Sequence, residues 1–184
     1  MSLKSFKTPL RYPGGKSRAC KKMEPFFPDL RDYDVYYEPF LGGGSVALHI
    51  TKKYPKLKII VNDLYEPLYN FWLRLQVDGD YVHKELQQLK SRYPDRGSAR
   101  GLFLDAKEKL YDLDVSDKDR AVCFYIINKC SFSGLTESSS FSEQASDANF
   151  SMRGIDKLPV YSKLIKDWYI TVSYTHLRAH ETTC

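Results

Sequence analysis

Apolar residues form two short runs in the first third of the chain, and a helical pattern follows each run. Residues 35–40 (VYYEPF) are typical of a β-strand that leads into the glycines at 42–44, and residues 57–61 (LKIIV) are typical of a second one. Helices are predicted over residues 45–53 and 66–76, the latter with Pro67 in its first turn. Strand, glycine turn, helix and strand make a βαβ unit, so we expect a parallel α/β fold.

The pattern changes after residue 76. Residues 81–93, 98–112 and 117–129 are predicted to be helical, and the run AVCFYII at 121–127 is apolar on nearly all sides, as in a buried helix. Residues 131–151 contain eight serines and predict a long polar loop. Apolar residues at 155, 158, 161 and 164 have helical spacing, and residues 168–174 (WYITVSY) predict a returning strand.

Composition and charge restrict the class of protein. Hydrophobic residues make up 42% of the chain and charged residues 28%, as in a globular protein with a core, and no run reaches the ~18 apolar residues of a membrane span. Four scattered cysteines and no signal-like segment predict a reducing, cytoplasmic location. Residues 1–31 carry eight Lys or Arg and two acids, which fits either a polyanionic partner or a solvated face.

The glycines at the end of the first predicted strand carry a candidate binding motif. Gly42-x-Gly44-x-x-Ala47 fits the pattern of a loop that approaches a nucleoside cofactor, with the following helix N-terminus open to a negative group. Asp63 follows Gly44 by 19 residues, at the end of the second strand, where a carboxylate can accept both ribose hydroxyls. Asp63 could equally cap the next helix. The spacing does not separate a nicotinamide dinucleotide from S-adenosylmethionine.

Three ordered segments resemble the Dam-type DNA adenine-N6 methyltransferase family. They are LRYPGGK at 10–16, YEPFLGGGSV at 37–46 and VND at 61–63. The resemblance implies an incomplete Rossmann-like, S-adenosylmethionine-dependent methyltransferase sheet with a helical DNA-recognition insertion. It implies an N-terminal part of the catalytic domain over residues 1–76, the insertion over 77–166 and a returning strand over 167–172. Residues 173–184 resemble no segment of the family, and we expect them to form a non-native tail.

The resemblance also implies roles for single residues. Tyr12 and Lys16 match positions that lie against the cofactor, with the lysine near its methionyl carboxylate. Phe40 and the glycines Gly42, Gly43 and Gly44 match the loop around the methionine moiety, and Asp63 matches the ribose-binding acid. Lys16 could instead belong to a solvated face, and Phe40 could instead pack in the core.

A fourth segment, NKCSFSGLTE at 128–137, resembles the opening of the family's DNA-recognition region, where Arg is common in place of Lys129. Lys129 and Arg153 are therefore the candidate DNA-binding residues, because basic side chains can reach phosphates or base edges. The implied partner is double-stranded DNA, bound by a monomeric, bacterial or phage-encoded enzyme of the restriction-modification type.

The family's adenine-binding motif, Asp-Pro-Pro-Tyr or a close variant, is absent, and no Pro-Pro pair occurs in the sequence. The resemblance places that motif after the recognition region, so we expect an N-terminal fragment that is inactive and prone to aggregate through the edge of its first strand. His176, His180 and Cys184 share one helical face, but a terminal segment with little apolar surface predicts no metal site.

The function expected from the sequence is therefore transfer of a methyl group from S-adenosylmethionine to adenine N6 in DNA. Two alternatives stay open: an NAD-dependent oxidoreductase built on the same βαβ unit, and a non-catalytic DNA-binding module.

Overall fold

A computed structural model describes residues 7–132, 134 and 139–172 of the chain. The described strands are β1 (Val35–Glu38), β2 (Lys58–Asn62) and β3 (Tyr169–Thr171). The described α-helices are α1 (Cys20–Met23), α2 (Ser45–Lys53), α3 (Glu66–Val77), α4 (Gly79–Arg92), α5 (Arg96–Lys109), α6 (Asp117–Cys130), α7 (Glu143–Asn149), α8 (Met152–Ile155) and α9 (Leu158–Leu164). Two short 3-10 helices, Glu24–Phe26 and Leu30–Asp32, follow α1.

The three strands form one parallel sheet in the order β1-β2-β3. The predicted βαβ unit is confirmed, because α2 connects β1 to β2 and the pairing runs from Val35 opposite Lys58 to Glu38 opposite Val61. Parallel pairing brings the carboxyl ends of β1 and β2 to the same edge of the sheet. The glycine loop after β1 and Asp63 after β2 therefore start from neighbouring positions.

Helix α6 is the buried helix that the apolar run predicts. Every residue from Ala121 to Cys130 is buried, and α6 packs against α3, α4, α5 and α7. Phe71 of α3 lies between the rings of Phe124 and Tyr125, with centroids 5.6 and 5.9 Å away. This packing joins the predicted insertion to the β-sheet half in one hydrophobic core. The domain boundaries stay predictions.

The predicted polar loop at 131–151 is partly wrong, because α7 occupies residues 143–149. The Ser142 hydroxyl accepts a hydrogen bond from the Ala145 N–H at 3.1 Å and caps the helix, while Ala145 and Phe150 are buried. The sequence did not identify this cap, because serine is frequent both in loops and at helix N-caps. The single helix suggested by the spacing from 155 to 164 is divided into α8 and α9.

Strand β1 has β2 as its one strand neighbour within the described part of the chain, so β1 forms an edge of the sheet. Val35 at its start is 43% exposed. The aggregation expected from this edge stays a prediction. Residues 173–174 of the predicted final strand, and the tail with His176, His180 and Cys184, lie outside the described residues.

Candidate cofactor site

The glycine loop (residues 39–44) turns from β1 into α2 through left-handed backbone conformations. Gly42 and Gly44 have φ values of 51° and 67°, a region that favours glycine. A Cβ on Gly44 would lie 2.7 Å from Cζ2 of Trp72, and the Trp72 Nε1–H donates a hydrogen bond to the Gly42 carbonyl at 3.1 Å. The loop therefore rests on a tryptophan of α3 and needs glycine to fit there.

Asp63 ties the end of β2 to this loop. One carboxylate oxygen accepts a hydrogen bond from the Gly42 N–H at 2.8 Å, and the other accepts one from the Tyr65 N–H at 3.1 Å. The residue at the N-cap of α3 is Tyr65, so Asp63 precedes the helix and does not cap it. Each carboxylate oxygen has a second lone pair. Asp63 can thus hold the loop and still accept hydrogen bonds from hydroxyl groups of a ligand.

The N-terminal segment lies over the other side of the glycine loop. The ring of Tyr12 is so close that a Cβ on Gly42 would lie 2.9 Å from its Cε1 atom, and the Thr8 hydroxyl donates a hydrogen bond to the Gly43 carbonyl. Burial and the nearby Asp63 carboxylate raise the pKa of Tyr12. The structure therefore brings Tyr12, the glycines and Asp63 together.

Lys16 and Phe40 are exposed at the margins of this cluster. The Lys16 Nζ donates a hydrogen bond to the carbonyl of Gly14 at 2.7 Å, across a turn in which Gly14 has a φ of 73°. Phe40 is 72% exposed, so the alternative that it packs in the core is wrong. Both side chains are available to a ligand at the loop.

Glu38 is a site residue that the motif search missed. Its carboxylate accepts a hydrogen bond from the Tyr36 hydroxyl at 3.2 Å and lies near the backbone N–H of Ala47, in the first turn of α2. Burial, together with the nearby Asp63 carboxylate, raises the pKa of Glu38 to about 7. The N-terminus of α2, which the sequence predicts to face a negative group of a ligand, thus already lies beside a carboxylate of the protein. The sequence feature that could have identified Glu38 is an acidic residue at the end of an apolar strand.

The two candidate DNA-binding residues differ in exposure to solvent. Lys129 is 9% exposed, its Nζ lies 5.2 Å from the centroid of the Tyr125 ring, and burial lowers its pKa to about 8. Arg153 lies exposed on α8, which packs against α4. Of these two residues, Arg153 is the one whose charged group is accessible to DNA.

A second cleft, of about 1010 Å³, opens at the opposite end of the strands. It is lined by residues 24–34 and 53–57, which precede β1 and β2, and so it is separate from the glycine loop. Across the described ranges, no group of His, Cys, Asp or Glu side chains is arranged to hold a metal ion. In the same ranges, no helix combines the length and apolarity that crossing a bilayer requires.

The sequence of this chain is similar to those of known proteins. The family model of the D12 class N6 adenine-specific DNA methyltransferases matches residues 12–177, which is most of the chain. The chain therefore belongs to this family. It is 27% identical over 143 residues to the Type II methyltransferase M.MjaIII of Methanocaldococcus jannaschii, an alignment that covers 73% of this chain and 48% of that protein. The chain thus spans about half the length of this curated relative.

Proposed function

We propose that this chain carries the S-adenosylmethionine-binding part of a site-specific DNA methyltransferase that acts on adenine N6. Family membership supports the class of reaction. The glycine loop, Asp63 and Tyr12, which come from three separate segments of sequence and meet at the carboxyl edge of the sheet, support the position of the cofactor.

The observation that carries the choice of cofactor is the Glu38 carboxylate at the start of α2. In dinucleotide-binding folds the pyrophosphate lies at this helix N-terminus, where N–H groups and the helix dipole favour an anion. Here the backbone N–H of Ala47 already faces the Glu38 carboxylate and lowers its pKa. A pyrophosphate would meet a second negative charge there, whereas S-adenosylmethionine has no phosphate and carries a sulfonium cation. The same contact disfavours the NAD-dependent alternative.

The residues around the loop fit the parts of this cofactor. Asp63 would accept the ribose hydroxyls with its remaining lone pairs, and Lys16 would pair with the methionyl carboxylate. The exposed ring of Phe40 and the Tyr12 ring would pack on the cofactor at the loop. The glycines exclude side chains between Tyr12 and Trp72 and so keep the loop backbone close to the ligand.

The cofactor supplies an electrophilic methyl group on sulfur. The chain's own contribution is to orient that group and to exclude water from its surroundings. We assign no catalytic residue among these 184 residues, because the sequence has no Asp-Pro-Pro-aromatic motif to hold the adenine amino group. We further propose a helical DNA-recognition insertion over residues 77–166, with Arg153 as its exposed cation and duplex DNA as the partner of a monomeric, cytoplasmic enzyme.

Isothermal titration tests the cofactor assignment. We expect S-adenosylhomocysteine to bind the purified chain and NAD not to bind. Asp63→Ala should weaken S-adenosylhomocysteine binding by about tenfold or more, which corresponds to ~1.4 kcal/mol, because two hydroxyl contacts are lost. Asp63→Asn should have a smaller effect, and Asp80→Ala, an exposed acid in the first turn of α4, should have none.

Asp63 also holds the Gly42 and Tyr65 N–H groups, so thermal unfolding of each variant should be measured in parallel. Tight NAD binding without S-adenosylhomocysteine binding would reverse the assignment in favour of the oxidoreductase. Salt-sensitive duplex binding with neither cofactor would favour a DNA-binding module. Unchanged S-adenosylhomocysteine affinity in Asp63→Ala would refute the role of this carboxylate.

A further inference from the structure

Residues 7–16, which we call the N-terminal strap, contact two parts of the molecule that are far apart in sequence. Tyr12 covers Gly42 and Gly43, as described above. The preceding residue, Arg11, faces the end of α6 and the residues after it. One extended segment therefore lies between the cofactor site and the start of the predicted DNA-recognition segment.

The side chain of Asn128 fixes the strap on this second side. Its Oδ1 accepts a hydrogen bond from the Arg11 N–H at 2.9 Å, and its Nδ2 donates to the Arg11 carbonyl at 2.7 Å. The same nitrogen donates to the Gly134 carbonyl at 2.9 Å. Asn128 is 1% exposed, so losing these partners would leave buried polar groups unsatisfied. The amide pairs with residue 11 much as a neighbouring β-strand would.

Arg11 and Gly134 complete the contact. The Arg11 guanidinium donates to the carbonyls of Ser131 and Phe132 at 2.5 and 2.9 Å, just beyond the end of α6. Gly134 has a φ of 75°, and a Cβ there would lie 2.6 Å from the Arg11 carbonyl oxygen. Backbone and side chain of residue 11 thus both contact the residues that follow α6: Ser131, Phe132 and Gly134.

We propose that Asn128 and Arg11 are positioning residues that seat, as one unit, Tyr12 on the glycine loop and the residues that follow α6 (Ser131, Phe132 and Gly134), and so couple cofactor binding to DNA binding. The coupling rests on the proposed function, whereas the seating does not. A shift of residue 11 must move residue 12, because the two share a peptide unit. A ligand that fixes Tyr12 therefore also fixes the residues that follow α6. Coupling between the two sites is reciprocal, so DNA bound at those residues would also favour cofactor binding.

Amide hydrogen exchange of the chain without ligands tests the seating. Asn128→Asp replaces the amide nitrogen, which donates to the Arg11 and Gly134 carbonyls, with a carboxylate oxygen that repels them. Arg11→Lys keeps the positive charge but loses the two guanidinium N–H donors that bind the carbonyls after α6. We expect both variants to exchange several-fold faster at residues 41–45, which neither residue 11 nor residue 128 contacts directly. Asn70→Asp is the matched control, since it breaks a 2.7 Å bond from a buried amide to the Asp117 carbonyl away from the strap. It should leave residues 41–45 unchanged.

Binding measurements then test the coupling. In the unaltered chain, S-adenosylhomocysteine should tighten binding of an adenine-containing duplex by about fivefold or more, and the duplex should tighten S-adenosylhomocysteine by the same factor. Arg11→Lys should bring this factor close to one. Exchange at residues 41–45 that stays unchanged in both variants would overturn the proposal, and so would a coupling factor that survives Arg11→Lys. If exchange accelerates but the unaltered chain binds no S-adenosylhomocysteine, the seating stands and the proposed function fails.

Discussion

At the scale of single residues, the site is organised by carboxylates that bind the protein's own backbone. Asp63 holds the Gly42 and Tyr65 N–H groups, and Glu38 accepts from the Tyr36 hydroxyl beside the backbone N–H of Ala47. The two acids share the carboxyl edge of the sheet, and the charge of Asp63 makes ionisation of Glu38 less favourable and raises its pKa. A cationic ligand group placed between them would relieve this repulsion, which is a physical reason for a sulfonium cofactor at this edge.

Glu38 should make the stability of the chain depend on pH. Its pKa of about 7 lies above the ordinary value of 4.5, so the folded state holds more protons than the unfolded state between these two values. Stability should therefore fall as pH rises across this window and level off above it. We expect the free energy of unfolding to drop by about 2 to 3 kcal/mol more between pH 5 and pH 8 in the unaltered chain than in Glu38→Gln, measured by urea denaturation. Parallel curves for the two proteins would contradict the raised pKa of Glu38.

The residue-level site was partly readable from sequence. The positions of Gly42, Gly44 and Asp63 follow from the βαβ unit, because parallel strands bring their carboxyl ends together. The role of Glu38 did not follow, since it depends on the first turn of α2 folding back over the end of β1. The burial of Lys129 was equally hidden, because a lysine at the end of a helix gives no local sign that α6 lies in the centre of the core.

At the scale of elements, α6 is the helix against which the other helices pack. Its N-cap is Ser116, whose hydroxyl accepts a hydrogen bond from the Asp119 N–H at 3.3 Å. Its all-round apolar run predicted burial correctly. Helix α7 was missed for the opposite reason, because serine is frequent both in loops and at helix N-caps and only tertiary packing of Ala145 and Phe150 separates the two.

Removing the N-cap of α6 should weaken the whole fold. We expect Ser116→Ala to lower the free energy of unfolding by about 1 kcal/mol, because the first turn loses its side-chain acceptor. The measurement is urea denaturation followed by circular dichroism. Ser91→Ala, at an exposed position in the last turn of α4, is the control and should leave stability unchanged or slightly higher, since alanine favours helix. Equal effects of the two changes would mean that the cap contributes nothing.

At the scale of the whole molecule, charge is concentrated beside the cofactor site. Lys16, Arg18, Lys21 and Lys22 are exposed, and within the described ranges none of them forms an ion pair with an acid. The segment that carries them packs on the start of α2, where the Ser17 and Ser45 hydroxyls lie 2.9 Å apart and the Cys20 Sγ lies 3.5 Å from the Ser45 carbonyl. Lys16, Arg18, Lys21 and Lys22, which we call the basic surface, therefore lie beside the start of α2, directly after the glycine loop.

This surface should contribute phosphate contacts if the chain binds duplex DNA. Each phosphate contact adds ~0.9 to the slope of log affinity against log salt. We expect the double change Lys21→Glu and Lys22→Glu to reduce that slope by about 1 to 2 and to weaken binding regardless of DNA sequence. Lys84→Glu with Lys163→Glu, on exposed positions of α4 and α9, removes the same charge elsewhere. A slope that changes equally in both pairs would mean that only net charge matters.

The contact between Trp72 and the glycine loop gives the protein a built-in optical probe. Trp72 and Trp168 are the only tryptophans in the sequence, both are buried, and their rings lie 5.8 Å apart. The indole N–H of Trp72 donates directly to the Gly42 carbonyl. A ligand that shifts this carbonyl should change the intensity or wavelength of tryptophan fluorescence, so occupancy of the loop can be followed by titration without any label.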